Sequence, residues 1–349
     1  MGQLHPSSFS FKRSIKKKRT SIVAPQPLPK PKHELDLSSE FRRIDKKTYN
    51  SIINSSRYDL PDDDERIDRI QLRHRLFRYV WQRNFSSPIR DDLLDGINVL
   101  DVGCGEGSWV LDNASSYPNS TFHGIDMAEM FPKDTSSHPN VKFSKINVVK
   151  DGLPFESNSF DFIHLRFLVQ YLTEDEWDNK VLKELIRVLK PGGYLEIMEF
   201  DMLFYNSGYH ATKLQNSTIG YFKSKKISAV ISPHLIKYLP TVPQFSEVKH
   251  EERSTPLGDW GGRLGSFAKI YFVLAFKHMK LVLPEYMKIG DDEYDNIIRG
   301  FDVECELNET YIKTSNLRHA EDNKVNPCIM ILAVSISTAV NQHIAGDSL

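Results

Sequence analysis

The eleven residues Val99-Leu-Asp-Val-Gly-Cys-Gly-Glu-Gly-Ser-Trp109 have the types and spacing of a ligand-binding turn. An apolar strand ends in an acid, Asp101, and glycines then recur at every second position: Gly103, Gly105 and Gly107. Glycine admits positive φ and lets a ligand approach the main chain closely. A dinucleotide loop reads G-x-G-x-x-G, with the pyrophosphate on the helix N-terminus. Here Ser108 stands where that pattern wants its last glycine, and an acid precedes the turn. The acid opposes a pyrophosphate. It suits a ligand with a positive end, such as the amino group and sulfonium of S-adenosylmethionine. A nicotinamide-dependent oxidoreductase is the alternative that the spacing speaks against.

Asp126 closes the next apolar run, 19 residues beyond Gly107. An acid there accepts hydrogen bonds from the two hydroxyls of an adenosine ribose, or else caps the following helix. Asn147 ends a third run. It is either a partner for the adenine amino group, with the Val148 amide facing the ring, or a turn-former. Cys104 in the loop, Met127 beside Asp126 and His164 at the end of a fourth run complete the expected cofactor-binding set. Methyl transfer from a sulfonium needs chiefly that nucleophile, methyl carbon and sulfur be held in line, worth about 7–11 kcal/mol. A base is needed only for a nucleophile that arrives protonated. His164, His74 and Glu199 are the candidates, with Asp201 behind them; each is otherwise a hydrogen-bonded structural residue. Trp109, Tyr58 and Trp260 either wall the site or belong to the core.

The elements that must position these residues alternate. Strands are expected at Asn98–Val102, Thr121–Ile125, Val141–Ile146, Phe160–Leu165 and Tyr194–Glu199. Helices are expected from Ser108 and over Glu174–Leu189, the latter stopped by Lys190-Pro-Gly-Gly193. Such alternation builds a parallel sheet with helices on both faces, and ligands bind beyond the carboxyl ends of its strands. Asp101, Asp126, Asn147 and His164 all fall at those ends. Residues 41–95 read as helical, with Ile67, Ile70, Phe77, Val80 and Trp81 as the apolar stripe and Arg69 and His74 as its polar members. Further on, 211–239 and 265–283 read as helices and 245–255 as a strand.

Composition bounds the rest. The chain has 349 residues, 40% hydrophobic and 26% charged, with a net charge of −1. Residues 1–33 hold eight Lys or Arg and no acid; subtracting these eight leaves −9 for the remainder. A basic tail on a mildly acidic body is no nucleic-acid-binding domain, so direct nucleic-acid recognition is not expected. Lys12-Arg-Ser-Ile-Lys-Lys-Lys-Arg19 is either a nuclear import signal or a solubilising run, and the expected localisation is nucleus or cytoplasm. Residues 1–40, rich in Ser, Pro and Lys, are expected to be disordered. Cys104, Cys305 and Cys328 form no CxxC pair, which fits a reducing compartment and argues against structural zinc; no metal is expected. No stretch reaches the roughly 18 apolar residues of a membrane span. A secretory signal is not expected, and Pro6 spoils the myristoylation pattern begun by Met1-Gly2.

Three segments in this order and spacing carry a resemblance: the glycine loop, Leu153-Pro-Phe-Glu-Ser-Asn-Ser-Phe-Asp-Phe-Ile-His-Leu-Arg166, and Leu189-Lys-Pro-Gly-Gly-Tyr-Leu-Glu196. Over residues 96–200 the chain resembles the class I S-adenosylmethionine-dependent methyltransferases. Asp64-Glu-Arg-Ile-Asp-Arg-Ile-Gln-Leu-Arg-His74, Gly105–Trp109, Phe160–Arg166 and Thr255-Pro-Leu-Gly-Asp-Trp260 narrow this to the fungal LaeA-like methyltransferases, nuclear regulators of secondary metabolism and their relatives, over roughly residues 40–312. The resemblance implies a Rossmann-like α/β fold, with a mostly parallel seven-stranded sheet, helices on both faces and an N-terminal helical cap. It implies donor binding by Asp101, Gly103, Gly105, Asp126 and Asn147, where the family more often has an acid in place of Asn147. The parts expected are a tail (1–40), a cap (41–95), a donor-binding core (96–200), substrate-side helices and strands (201–325), and 326–349 as an atypical tail or last strand.

The expected function is S-adenosylmethionine-dependent methyl transfer to a small-molecule or protein acceptor. The alternative is a catalytically weak protein of the same fold, acting through nuclear partners. DNA-base amino-methylation is not expected, because no Asn/Asp-Pro-Pro-Tyr/Phe motif follows the fourth strand.

Overall fold

The computed structural model describes residues 62–317, apart from 244, 246 and 247, together with residues 328–331. The basic run Lys12–Arg19 and Tyr58 lie outside the described residues. In chain order the elements are α1 (Asp62–Trp81), α2 (Arg90–Asp95), β1 (Asn98–Val102), α3 (Ser108–Ser116), β2 (Thr121–Asp126), β3 (Val141–Lys145), α4 (Val148–Asp151), β4 (Phe160–Arg166) and α5. Helix α5 consists of Glu174–Glu176, a π turn Trp177–Val181 and Leu182–Val188. Then follow β5 (Leu189–Met198), β6 (Phe204–Tyr205), α6 (Tyr209–Ser224), α7 (Ser232–Tyr238), β7 (Val248–Pro256), α8 (Gly262–His278), α9 (Leu283–Met287), α10 (Asp291–Leu307), β8 (Tyr311–Leu317) and β9 (Cys328–Ile331).

The strands form one sheet in the order β3-β2-β1-β4-β5-β9-β7-β8-β6. It is parallel from β3 through β7; β8 alone runs the other way, antiparallel to both β7 and β6. The central strands are apolar on both faces, as burial under two helical layers requires. Val99, Phe122 and Phe162 pack beneath Trp109 and Val110 of α3. Leu100, Val102, Ile163 and Leu165 pack on the opposite face, against Trp177, Leu182 and Leu185 of α5. Helix α5 starts at a capping box: Thr173 Oγ1 accepts from the Glu176 N–H, and the Glu176 carboxylate accepts from the Thr173 N–H at 2.8 Å.

The mostly parallel sheet with helices on both faces is as expected, but it has nine strands among the described residues rather than seven. Cys328–Ile331, expected as a last strand or an atypical tail, inserts in parallel between β5 and β7. The two residues of β6 add a short edge strand next to β8. Gly193 also differs from expectation. The helix already ends at Val188, and 189–193 belong to β5; a Cβ at Gly193 would stand 2.7 Å from the Asp161 carbonyl oxygen, so this glycine permits close strand pairing. The expected helix 211–239 is two helices broken at 225–231, and the expected helix 265–283 starts three residues earlier and gives out at His278.

The N-terminal cap is α1 followed by an irregular segment and then α2. Leu72, Leu76, Phe77, Val80 and Trp81 of α1 are buried against Phe267, Phe272 and Phe276 of α8 and against Phe200 and Phe204, which follow β5. Each such side chain contributes roughly 1.5–3 kcal/mol through burial. The segment after α1 is tied to the sheet by a buried carboxylate, Glu196 of β5. The Ser86 N–H donates to both its oxygens, at 3.0 and 2.9 Å. The Ser87 N–H and Oγ–H donate to Oε2 at 2.9 and 2.8 Å. Four hydrogen bonds from three donors satisfy this fully buried acid.

Replacing Glu196 by Gln turns one acceptor into an NH2 group that faces backbone N–H donors. Hydrogen bonds to a charged group are worth about 1.5–3 kcal/mol each, so Glu196→Gln should lower the unfolding free energy by about 3 kcal/mol or more in urea titration. A loss under about 1 kcal/mol would show that this tie does not hold the cap.

Candidate functional site

A cavity of about 520 Å³ opens beyond the carboxyl ends of β1, β2 and β4, where a doubly wound sheet places its ligand. Its volume is in the range of small-molecule sites. Gly103, Gly105, Asp126, Met127, Asn147 and Val148 line it. The turn takes the shape its glycines allow: φ is +73° at Gly103 and +59° at Gly105. A Cβ on Gly103 would stand 2.6 Å from Leu168 Cδ2. Asp126 braces the loop, because Gly105 N–H donates to its Oδ2 at 2.9 Å and Ala128 N–H to its Oδ1 at 2.8 Å. Each oxygen keeps a further lone pair for a ligand hydroxyl. Asn147 caps α4: its Oδ1 accepts from Val149 N–H at 3.1 Å and Lys150 N–H at 3.2 Å, which leaves the side-chain NH2 toward other partners.

The remaining residues of the expected set do not line the cavity. Asp101, His164 and Glu196 face one another in register across β1, β4 and β5. His164 is fully buried. Its Nδ1–H donates to Asp101 Oδ1 at 2.7 Å, and its ring stacks on Trp109 at 3.9 Å with an interplanar angle of 2°. The carboxylate only accepts, so Nδ1 carries a proton, and Nε2 has no partner among the described residues. His164 is thus a structural partner of Asp101, on the α3 side of the sheet. Trp109 is core, with Nε1–H donating to Asn84 O at 2.7 Å. Cys104 is buried against Phe122 and Phe131, and burial pushes its thiol pKa far up, out of nucleophilic range. Trp260 sits on the turn Asp259–Gly261 and lines neither cavity described here.

Two cations line the same cavity, Arg73 of α1 and Arg166 at the end of β4. Arg166 is held by a relay. Its Nη2 donates to His74 Nδ1 at 2.7 Å, so Nε2 is the protonated nitrogen of that ring; it donates to Asp112 Oδ2 at 2.9 Å. Arg78 donates to the same oxygen at 2.7 Å. Burial first, and then the Arg166 charge, lower the His74 pKa to about 4. His74 is therefore neutral and fully engaged at both nitrogens. It is a positioning residue for Arg166 rather than a base within reach of a ligand. Burial brings Arg166 down to about 10, against the pull of Asp101, and it stays charged at neutral pH.

Glu199 and Asp201, just beyond β5, are buried and lie outside the lining. Glu199 Oε1 accepts from Leu168 N–H at 2.6 Å, and burial raises its pKa to about 8. Asp201 Oδ1 accepts from Ser232 N–H at 3.1 Å at the start of α7, and burial raises it to about 7. Glu199 steadies the loop after β4, whose Leu168 packs over Gly103.

A second cavity, of about 240 Å³, adjoins the first, and Ile70, Arg73 and Tyr171 line both. It lies between α1, α6 and α8. The two together make a two-compartment site, one part on the glycine loop and one under the cap. Arg73 went unassigned in the sequence, and Arg166 was read only as part of His164-Leu-Arg166, a segment expected to shape a methionine pocket through its backbone. The available signal was Arg69 and Arg73, four residues apart on the face of α1 that also carries Ile70 and Phe77.

Residues 99–193 match the family model of a methyltransferase domain. The chain is 26% identical over 217 residues to a secondary metabolism regulator laeA of Coprinopsis cinerea, covering 57% of this chain and 53% of that protein. It is 31% identical over 171 residues to the methyltransferase str2 of Strobilurus tenacellus, covering 48% and 60%. The chain thus spans about half the length of the curated relatives it matches. Among solved structures, a Haemonchus contortus phosphoethanolamine N-methyltransferase 2 overlays with a TM-score of 0.38 at 18% identity, over 74% of this chain and 60% of that one. The strand order above stands apart from that overlay. The resemblance to class I methyltransferases, and within them to the LaeA-like group, is borne out.

The buried neutral His74 makes a signature in stability. Its pKa is 6.5 when unfolded and about 4 when folded, so the unfolded state binds the extra proton between those values. The contribution is intact above pH 6.5 and is lost as pH falls toward 4, by about 3 kcal/mol in all. Glutamine reproduces one donor and one acceptor without titrating. The difference in unfolding free energy between wild type and His74→Gln should be flat above pH 6.5 and shift against wild type by that amount at pH 4. Parallel curves would show that His74 is not buried in neutral form.

Proposed function

We propose that this chain, whose residues 99–193 form a class I methyltransferase domain, transfers the methyl group of S-adenosylmethionine to an acceptor held in the adjoining cavity. One observation carries this reading: Gly103, Gly105, Asp126 and Asn147, picked out by spacing alone, line one cavity that two arginines also reach. The residues fit the donor. Asp126 would take the ribose hydroxyls, and the apolar walls Ile125, Met127, Ile146 and Val148 would sandwich the adenine. The Gly103–Gly105 turn and Arg166 would receive the methionine end, the arginine facing its carboxylate.

When bound, the donor supplies an electrophilic methyl on a good leaving group. The protein's part is positioning. Arg166 is fixed by His74 and Asp112, and the glycine loop by Asp126. The junction at Ile70, Arg73 and Tyr171 is where an acceptor in the second cavity meets the methyl group. His74 and His164 are committed to Asp112 and Asp101, and Glu199 lies outside both linings.

The name of the Coprinopsis cinerea relative, a secondary metabolism regulator, and the basic run Lys12–Arg19 favour a second reading. In it the same site binds the donor, and the chain acts in the nucleus through protein partners. Donor binding without transfer of labelled methyl to any extract fraction would favour it, and retention of a 1–40 reporter fusion in the cytoplasm would count against it.

The donor reading is tested by calorimetry with S-adenosylhomocysteine on the full chain. Asp126→Ala should weaken binding at least about tenfold, or about 1.4 kcal/mol, since it removes both the ribose acceptor and the brace on Gly105. Unchanged affinity would sink the assignment of Asp126.

A further inference from the structure

The second cavity has a consistent chemistry. Its walls are aromatic: Phe200, Tyr221, Phe222, Tyr271, Phe272 and Phe276 contribute. Its basic members are Arg69 and Arg73 of α1 and His278 at the end of α8, and no carboxylate lines it among the described residues. Arg73 is placed with care. Its guanidinium lies 4.7 Å from the Phe167 ring centroid, and it hydrogen-bonds Tyr271, whose ionisation burial disfavours. Glu199, within electrostatic reach of Arg73, is buried outside the cavity, and burial raises its pKa to about 8. At about 240 Å³ the space suits one or two rings rather than a long side chain.

These properties select among nucleophiles. An amine arrives as ammonium, is repelled by the two arginines and needs a base. A phenol or alcohol also needs a base, and the residues shared by the two cavities, Ile70, Arg73 and Tyr171, supply none; His278 of α8 lines the second cavity but not the first, His74 is locked between Arg166 and Asp112, and His164 lies on the other side of the sheet. A carboxylate needs none. It is ionised in water and is matched by guanidinium groups in both charge and shape.

The geometry points to an aryl or similarly flat apolar carboxylic acid as the acceptor, its ring among the aromatic walls and its carboxylate on Arg69 and Arg73 at the junction, to be converted to its methyl ester. This rests on the reading of the first cavity as the donor site. In the reaction one carboxylate oxygen forms a bond to the methyl carbon. The carbon–sulfur bond breaks with its electron pair left on sulfur, and no proton moves. The products are the ester and the neutral thioether S-adenosylhomocysteine. Arg73, shared by both cavities, turns the carboxylate toward the methyl group.

The test uses 2-naphthoate, with its neutral and cationic counterparts 2-naphthamide and 2-naphthylmethylamine, titrated into the full chain with and without S-adenosylhomocysteine. Naphthoate should bind roughly tenfold or more tightly than either counterpart. Arg73→Gln should erase that preference while leaving amide binding unchanged, and Arg73→Lys should keep part of it. With S-adenosylmethionine labelled in the methyl group, label should appear in methyl 2-naphthoate. Equal binding of acid and amide by the wild type, or preference for the amine, would overturn the proposal whether or not the variants fold. Failure of S-adenosylhomocysteine to bind would instead overturn the donor reading, which the naphthoate ranking does not depend on.

Discussion

The cap on this molecule is held down by a charge that never meets water. Glu196 projects from β5 into the layer beneath α3, and its four hydrogen bonds pin the chain immediately after α1. Beside that anchor α1 rests on apolar contacts, which fix its depth better than its rotation, and on the bonds of His74 and Arg78 to Asp112 of α3. Rotation decides function here, because α1 carries Arg69, Ile70, Arg73 and His74 on successive turns. The first three line cavities, and the fourth holds Arg166. Two acids, Glu196 behind the cap and Asp112 beside α1, therefore set the register of the side chains that the cap contributes to the two-compartment site.

The same face of the sheet accounts for the polar row Asp101, His164 and Glu196. Three neighbouring strands place polar side chains side by side inside a layer otherwise filled by Phe122, Phe162 and Trp109. Such a row is costly unless its members satisfy one another. Asp101 and His164 pair, Trp109 covers the imidazole, and Glu196 takes its donors from the main chain. The strand-end acid beside the glycine loop is thereby fixed from behind.

Much of the core was legible in the sequence. Strand β1 was read to the residue and β2 to within one, because a parallel strand buried on both faces is apolar throughout and its ends carry polar residues. The glycine loop was legible because its φ values leave few other residues possible. Side-chain direction was not legible. Asp101, Asp126, Asn147 and His164 all end strands, but alternation sends Asp101 and His164 to the α3 face while Asp126 and Asn147 border the cavity. Nor was the second cavity legible. Its walls come from α1, α6, α8 and the residues after β5, brought together by tertiary packing that no local pattern encodes, and α10 and β8 were expected only as unplaced helices and strands within 201–325. Gly193 misled for a related reason: glycine after a helix signals a stop, and here it serves the approach of β5 to β4.

Strand β9 has a consequence for how the protein is made. It lies in the interior of the sheet, parallel to β5 on one side and β7 on the other. During synthesis β5 therefore waits with an unpaired edge while well over a hundred further residues emerge. Contacts of that sequence separation form slowly, and an open strand edge recruits foreign strands. The nascent chain passes through a window in which the half that carries the glycine loop is assembled and its sheet is still open. Chaperone demand should concentrate in that window, and so should the effect of any truncation that removes the late strand.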